Sequence, residues 1–343
     1  MPTHTLLVER TRGGPDAAGD AVECQHYGSI AVVDADGRLV ASAGDPDAPT
    51  FARSALKPFQ ALPFVRAGGA QYFGLQSRHL ALLCASHSGE AEHVAGVSAI
   101  LERAGCAPAE LQCGCHAPIA FEMPGASAPA DFQPTPLHHN CSGKHAGFLA
   151  YCAQHRLGRH DYLAAGHPLQ AAVRAAIAQA CGAPDEALRA AVDGCSAPTY
   201  ALPLSALARG YAGLAAPSPG HGDTAAALRM LYDAMVSHPF LVSGSRRSDL
   251  AFMSAAPGDW VAKVGADGVQ GLGLRSQGLG IAVKVSDGNM AAVYAAAIEA
   301  LRQLGLAAGA PGSALHALAQ PELRNAAGLR TGQVRPAFTL RRH

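Results

Sequence analysis

Ser29-Ile-Ala-Val-Val33 and Arg38-Leu-Val-Ala-Ser42 are short β-rich runs joined by Asp34-Ala-Asp-Gly37, whose final Asp-Gly suits a tight reversal. This stretch reads as a β-hairpin. A matching signal lies near the other end, where Trp260-Val-Ala-Lys-Val264 and Leu279-Gly-Ile-Ala-Val-Lys-Val285 read as strands separated by the glycine-rich segment 265–278. Between the two, apolar residues recur at helical spacing over about Ala91–Ala104, Gly143–Gln154, Pro168–Ala180, Leu202–Leu214, Thr224–Val236 and Met290–Leu304. Strands at both ends with helices between them predict one antiparallel sheet in which the terminal segments meet, an α+β or mixed α/β fold.

The chain has 343 residues, 49% hydrophobic and only 15% charged, enough to bury a large core. We read residues 1–343 as one catalytic domain, with its core over about 6–304. The tail 309–343 is Ala/Gly/Pro-rich at first and is expected to be peripheral or mobile. Lys plus Arg balance Asp plus Glu at 26 each, without a charged block, so there is no electrostatic footprint for nucleic acid or a membrane surface. A small-molecule substrate is expected. The start lacks a basic region followed by an apolar core, which predicts a cytoplasmic protein. Nine cysteines, an odd number, argue for reduced thiols rather than a disulfide framework. Residues Ala117 to Pro136, rich in Pro and Ala, read as a long connection feeding His138-His-Asn-Cys141.

Chemistry-bearing residues cluster at element boundaries. Arg53-Ser-Ala-Leu-Lys-Pro58 contains Ser-x-x-Lys, and at the start of a helix that spacing puts hydroxyl and amine on one face. A serine becomes a nucleophile when a neighbouring base accepts its proton, and a lysine is such a base when burial or nearby cations lower its pKa. Ser54 then reads as nucleophile and Lys57 as base; a capping serine followed by a surface lysine is the plainer reading of this motif alone. An apolar run also stops abruptly at Ser86-His-Ser-Gly89. Lys263 sits inside the apolar run Val261–Val264, where a buried ammonium needs a polar partner and an exposed one does not.

Cys141-Ser-Gly-Lys144-His145 and Asp193-Gly-Cys195 each place a cysteine in a glycine-containing turn, and two thiolates suit zinc. Two buried core cysteines fit the same pattern. Cys113-Gly-Cys115-His116 is a competing cluster, with both cysteines on one side if the segment is extended.

Taken in order, Arg53–Pro58, Cys84-Ala-Ser-His-Ser-Gly-Glu90, His139-Asn-Cys-Ser-Gly-Lys-His-Ala-Gly147, Asp193-Gly-Cys-Ser-Ala-Pro198 and Ala262-Lys-Val-Gly-Ala-Asp-Gly-Val269 resemble the Rhizobial-type (class 3) L-asparaginase family. The resemblance runs from about Leu6 to Leu304. It implies a fold similar to serine β-lactamases and penicillin-binding proteins, a homodimer, and hydrolysis of L-asparagine to L-aspartate and ammonia. By motif it implies two serine–lysine pairs, Ser54 with Lys57 and Ser86 with Lys263. It also implies a zinc ion held by Cys141, Lys144 and Cys195, with Asp193 as an orienting neighbour and Arg53 and His145 in support. A lysine amine binds a metal only when deprotonated, so as a ligand Lys144 is expected to have a depressed pKa.

Two rival functions share some of these residues. A penicillin-recognising acyltransferase or β-lactamase also uses Ser-x-x-Lys, but the Ser-Asp-Asn element is absent. A noncatalytic zinc- or amino-acid-binding protein would bind without turnover.

Overall fold

The computed structural model describes residues 3–14, 19–123, 125–218 and 222–343. Met1 and Pro2 of the start, and Pro124 of the long connection, lie outside the described residues. In chain order the strands are β1 (Thr5–Arg12), β2 (Ala21–Asp34), β3 (Leu39–Ala43), β4 (Pro49–Phe51), β5 (Arg189–Val192) and β6 (Pro198–Pro203), then β7 (Trp260–Gly265), β8 (Val269–Leu274), β9 (Leu279–Val285), β10 (Glu322–Arg324), β11 (Arg330–Pro336) and β12 (Arg341–Arg342).

The hairpin read from residues 29–42 is β2 turning into β3. Gly37 takes a left-handed φ of 82°, and the Asp34 carboxylate accepts from the backbone N–H of Arg38 at 2.8 Å, which closes the turn. The two ends of the chain meet as expected: β2 pairs antiparallel with β9 from Gly28 opposite Val285 to Asp34 opposite Leu279. The principal sheet runs β10-β11-β1-β2-β9-β8-β7, with β3 beside β2 and β12 beside β3; a separate three-stranded sheet runs β4-β6-β5. The fold is mixed α/β, an antiparallel sheet with helices.

Two details depart from the sequence reading. The glycine-rich segment 265–278 is not one long turn: it contains β8, so the carboxy-terminal hairpin is a three-stranded meander. The glycines are required by close packing of the helix Leu204–Ala215. A Cβ at Gly271 would lie 2.1 Å from the Tyr211 ring, and one at Gly280 would lie 1.9 Å from the Ala208 carbonyl oxygen. Likewise, the tail beyond Gly309 carries β10, β11 and β12; β11 pairs with β1 and β12 with β3, so it joins the sheet at its margins.

The six helical patterns appear as Ala91–Arg103, Ser142–His155, Pro168–Cys181, Leu204–Ala215, Gly222–Ser237 and Met290–Gln303. The fourth starts two residues later than its periodicity suggested because β6 extends to Pro203. The helix Lys57–Arg66 carries Pro63 inside it and continues to Arg66. Among the described residues no helix is long and apolar enough to cross a membrane.

Candidate active site

Ser54 follows β4 in a 3-10 turn, Arg53–Leu56, that runs directly into the helix Lys57–Arg66, with Pro58 at the helix start where a missing N–H is harmless. Arg53 holds a left-handed φ of 51°, a conformation that costs a non-glycine residue about 1–3 kcal/mol and needs outside support. That support is electrostatic. The Arg53 Nε donates to Asp193 Oδ1 at 2.7 Å, and its Nη1 donates to Asp267. Asp267 and Ser196, beside the same site, also have left-handed backbones. Arg53 and Asp193 are thus tied together as a clamp behind Ser54, and Asp193 is held below the ordinary carboxylate range: burial opposes this, while Lys144 and Arg53 favour the anion.

In 3-10 geometry side chains at i and i+3 eclipse, so Ser54 and Lys57 share a side of the turn. Ser54 is half-buried and Lys57 is fully buried. A buried ammonium must find acceptors, and Lys57 finds them across the cleft: Nζ donates to the Ala85 carbonyl at 2.5 Å and to Ser86 Oγ at 2.8 Å. Ser86 is fixed by its backbone N–H, which donates to the Val242 carbonyl at 2.9 Å. The serine in hydrogen-bond contact with Lys57 is therefore Ser86, a pairing different from the one implied by the motifs.

Lys263, on β7, is buried. Its Nζ donates to the Val264 carbonyl at 2.8 Å and to Asp249 Oδ2 at 3.3 Å, and Gln270 Nε2 donates to the other Asp249 oxygen at 3.4 Å. Its resolved side-chain partner is thus Asp249 rather than Ser86. Burial lowers Lys263 to about 8 against the opposing pull of Asp249, with the charges of Lys57 and Arg247 adding to the lowering. Ser54 and Ser86 open onto one cleft of about 390 Å³, whose wall also carries Glu122, Asn140, Arg247 and Tyr294.

Behind the cleft lies a second polar cluster. Cys141 precedes the helix Ser142–His155, which carries Lys144 and His145 in its first turn, and Cys195 stands in the turn between β5 and β6. Lys144 Nζ donates to Cys195 Sγ at 3.0 Å. The Cys195 sulfur, as hydrogen-bond partner, holds the Cys141 thiol well below its ordinary value against burial, helped by the charges of Lys57 and Lys144. Burial acts to lower Lys144, but Cys195 and Cys141 outweigh it and push the amine up to about 12. The depressed value expected of a ligand amine is not reached here, because the two cysteines outweigh burial. His145 is lowered to about 4 by burial; its Nδ1 contacts the Tyr162 hydroxyl at 2.8 Å, and its buried Nε2 has no partner in hydrogen-bond geometry among the described residues.

Among the described residues, no three His, Cys, Asp or Glu side chains converge in a metal-binding arrangement. Cys141 and Cys195 supply two soft donors, so a closed site needs Lys144 as the third. Their chemistry fits zinc: two sulfurs and an amine, buried together, with Cys141 favoured as thiolate. The competing Cys113-Gly-Cys115-His116 segment is split. Cys113 is buried, with its thiol pushed up to about 12 by burial, while Cys115 is exposed. Gly114, at φ 80°, breaks the extended conformation that would have put the two sulfurs on one side. His116 instead contacts Asn140.

Asp249, Arg247, Glu122 and Tyr294 were assigned no role from the sequence. Asp249 had a usable signal, since a buried lysine demands a partner, but the partner lies on another element, the helix Ser248–Ala255. A family model described as L-asparaginase II matches residues 15–336, nearly the whole chain, and the chain belongs to that family, which implies a hydrolase acting on amides. No curated protein matches it.

Proposed function

From this family membership we propose that the chain is an L-asparaginase, hydrolysing L-asparagine to L-aspartate and ammonia by serine–lysine chemistry. The observation that carries the reading is that Ser54 and Ser86 share one cleft and that the buried Lys57 behind it donates to Ser86 Oγ at 2.8 Å. Ser54 Oγ attacks the side-chain amide carbon, and its proton passes to Lys57. The Lys57–Ser86 hydrogen bond supplies a path by which a proton returns to the amide nitrogen. The C–N bond breaks, ammonia leaves, and Ser54 holds an aspartyl ester. Water, deprotonated through the same relay, then hydrolyses the ester and restores Ser54. Lys263 is assigned to the relay by motif.

Cys141, Lys144 and Cys195 would hold a zinc ion, which when bound would supply positive charge beside the cleft. The same reading carries a single catalytic domain with a β-lactamase-like fold, working as a cytoplasmic homodimer. The test is ammonia release from L-asparagine, L-glutamine and small amides, beside a chromogenic cephalosporin. Sustained release from L-asparagine is expected. Binding without turnover would leave an amino-acid-binding protein, and cephalosporin hydrolysis alone would leave a penicillin-recognising enzyme.

A further inference from the structure

The cleft that holds Ser54 and Ser86 carries three charged side chains, Glu122, Arg247 and Asp267. Asp267 is committed to Arg53, and Arg53 in turn is committed to Asp193 and Asp267. Among the described residues, neither the Arg247 guanidinium nor the Glu122 carboxylate has a hydrogen-bond or ion-pair partner, although elsewhere most arginines that reach a carboxylate take it. Arg247 is half-buried immediately before the helix Ser248–Ala255, while Glu122 ends a 3-10 turn in the long connection and is exposed. Arg247 also lies within electrostatic reach of Lys263 and Tyr294, which sets it near the reacting end of the cleft.

One unspent cation and one unspent anion on the wall of a small cleft match the α-carboxylate and α-ammonium of a free amino acid. A guanidinium is suited to the carboxylate because its planar fork donates two parallel N–H groups. Arg53 is already paired with two carboxylates, its Nε with Asp193 and its Nη1 with Asp267, which among the described residues leaves Arg247 as the cleft's uncompensated cation. We infer that Arg247 and Glu122 are specificity-determining residues that grip the zwitterion: Arg247 takes the α-carboxylate and Glu122 the α-ammonium, leaving the side-chain amide at the serines. This rests on the amidase reading above and names the substrate class as free α-amino acids bearing a side-chain amide, rather than peptides or simple amides.

The test uses L-asparagine beside two truncated amides: succinamic acid, which lacks the amine, and β-alaninamide, which lacks the carboxylate. Arg247→Gln is expected to lower kcat/KM about 10- to 100-fold on L-asparagine and on succinamic acid, mainly through KM, while changing β-alaninamide by less than about threefold. Glu122→Gln should show the converse pattern, losing on L-asparagine and β-alaninamide but not on succinamic acid. Arg247→Lys, which keeps the charge without the fork, should recover part of the loss. Calorimetric binding of L-aspartate to wild type and Arg247→Gln gives a readout without turnover, and weaker binding by the variant is expected. Equal losses by Arg247→Gln on all three amides, or unchanged L-aspartate binding, would overturn the assignment. Absence of ammonia release by the wild-type protein would instead remove the amidase reading on which it rests.

Discussion

Lys263 and Lys144 are both closed off from water, yet their amines are driven in opposite directions. Lys263, on the edge strand β7, faces one carboxylate, Asp249, and two like charges, and burial carries it down to about 8. Lys144, in the first turn of a helix, faces two sulfurs that outweigh burial and carry it up to about 12. Burial alone does not decide what a lysine does; the number and charge of the groups sharing its pocket do. The first environment suits a group that exchanges a proton near neutral pH. The second suits a donor whose proton is displaced by a metal ion competing for the same sulfurs.

The strongest way to break this contrast is to remove the exchanging side. Ser54→Ala and Lys263→Met are each expected to reduce ammonia release at least about a thousandfold while the protein stays folded. Steady-state kinetics with circular dichroism on both variants checks this. Near-normal turnover by a folded Lys263→Met would reduce Lys263 to a structural member of the Asp249 pair.

How far the sequence foretold this arrangement depended on whether the signal was local. The hairpin of β2 and β3 was legible because its turn chemistry and both strands lie within fourteen residues of one another, from Ser29 to Ser42. β8 was not, because Gly271 and Gly273 make it look like a turn; those positions are small so that Tyr211 and its helix can press against the sheet. Lys263 was conspicuous as a cation in an apolar run, but nothing local pointed to Asp249. The Ser-x-x-Lys spacing put Ser54 and Lys57 on one side of a turn, yet the serine that Lys57 bonds, Ser86, lies on a segment twenty-nine residues away. In each of these cases residue type was readable and the long-range partner was not.

The metal side of the contrast is sharpened by Cys141→Ala and Cys195→Ala. The purified protein is expected to carry about one zinc per chain, and each variant to lose it. If the ion only shapes the cleft, KM should rise about 10- to 100-fold with kcat preserved; if it polarises the amide, kcat should fall as well. Elemental analysis alongside the same kinetics separates these outcomes. Full zinc occupancy in both variants would reject these ligands and return attention to Cys113, Cys115 and His116.

The smallest effect, and the finest probe of the difference between the two lysines, is expected from Asp249→Asn. With Lys263 at about 8, kcat/KM should rise as pH increases through that region, because the amine accepts a proton only from its neutral form. Asp249 opposes the lowering of Lys263, so removing its charge should move the rise toward acid by about one pH unit or more and leave activity above the transition within about tenfold of wild type. Stability gives an independent sign check. A lysine whose folded pKa lies below its unfolded value of about 10.4 binds fewer protons folded than unfolded across that interval, so stability rises with pH there and the burden is greatest below it. Asp249→Asn leaves the ammonium without its counter-charge, so its deficit in thermal stability should be largest near pH 6 and shrink by about pH 9. An alkaline shift of the activity profile, or a stability deficit independent of pH, would mean that Asp249 acts through packing and that Lys263 is not the titrating group.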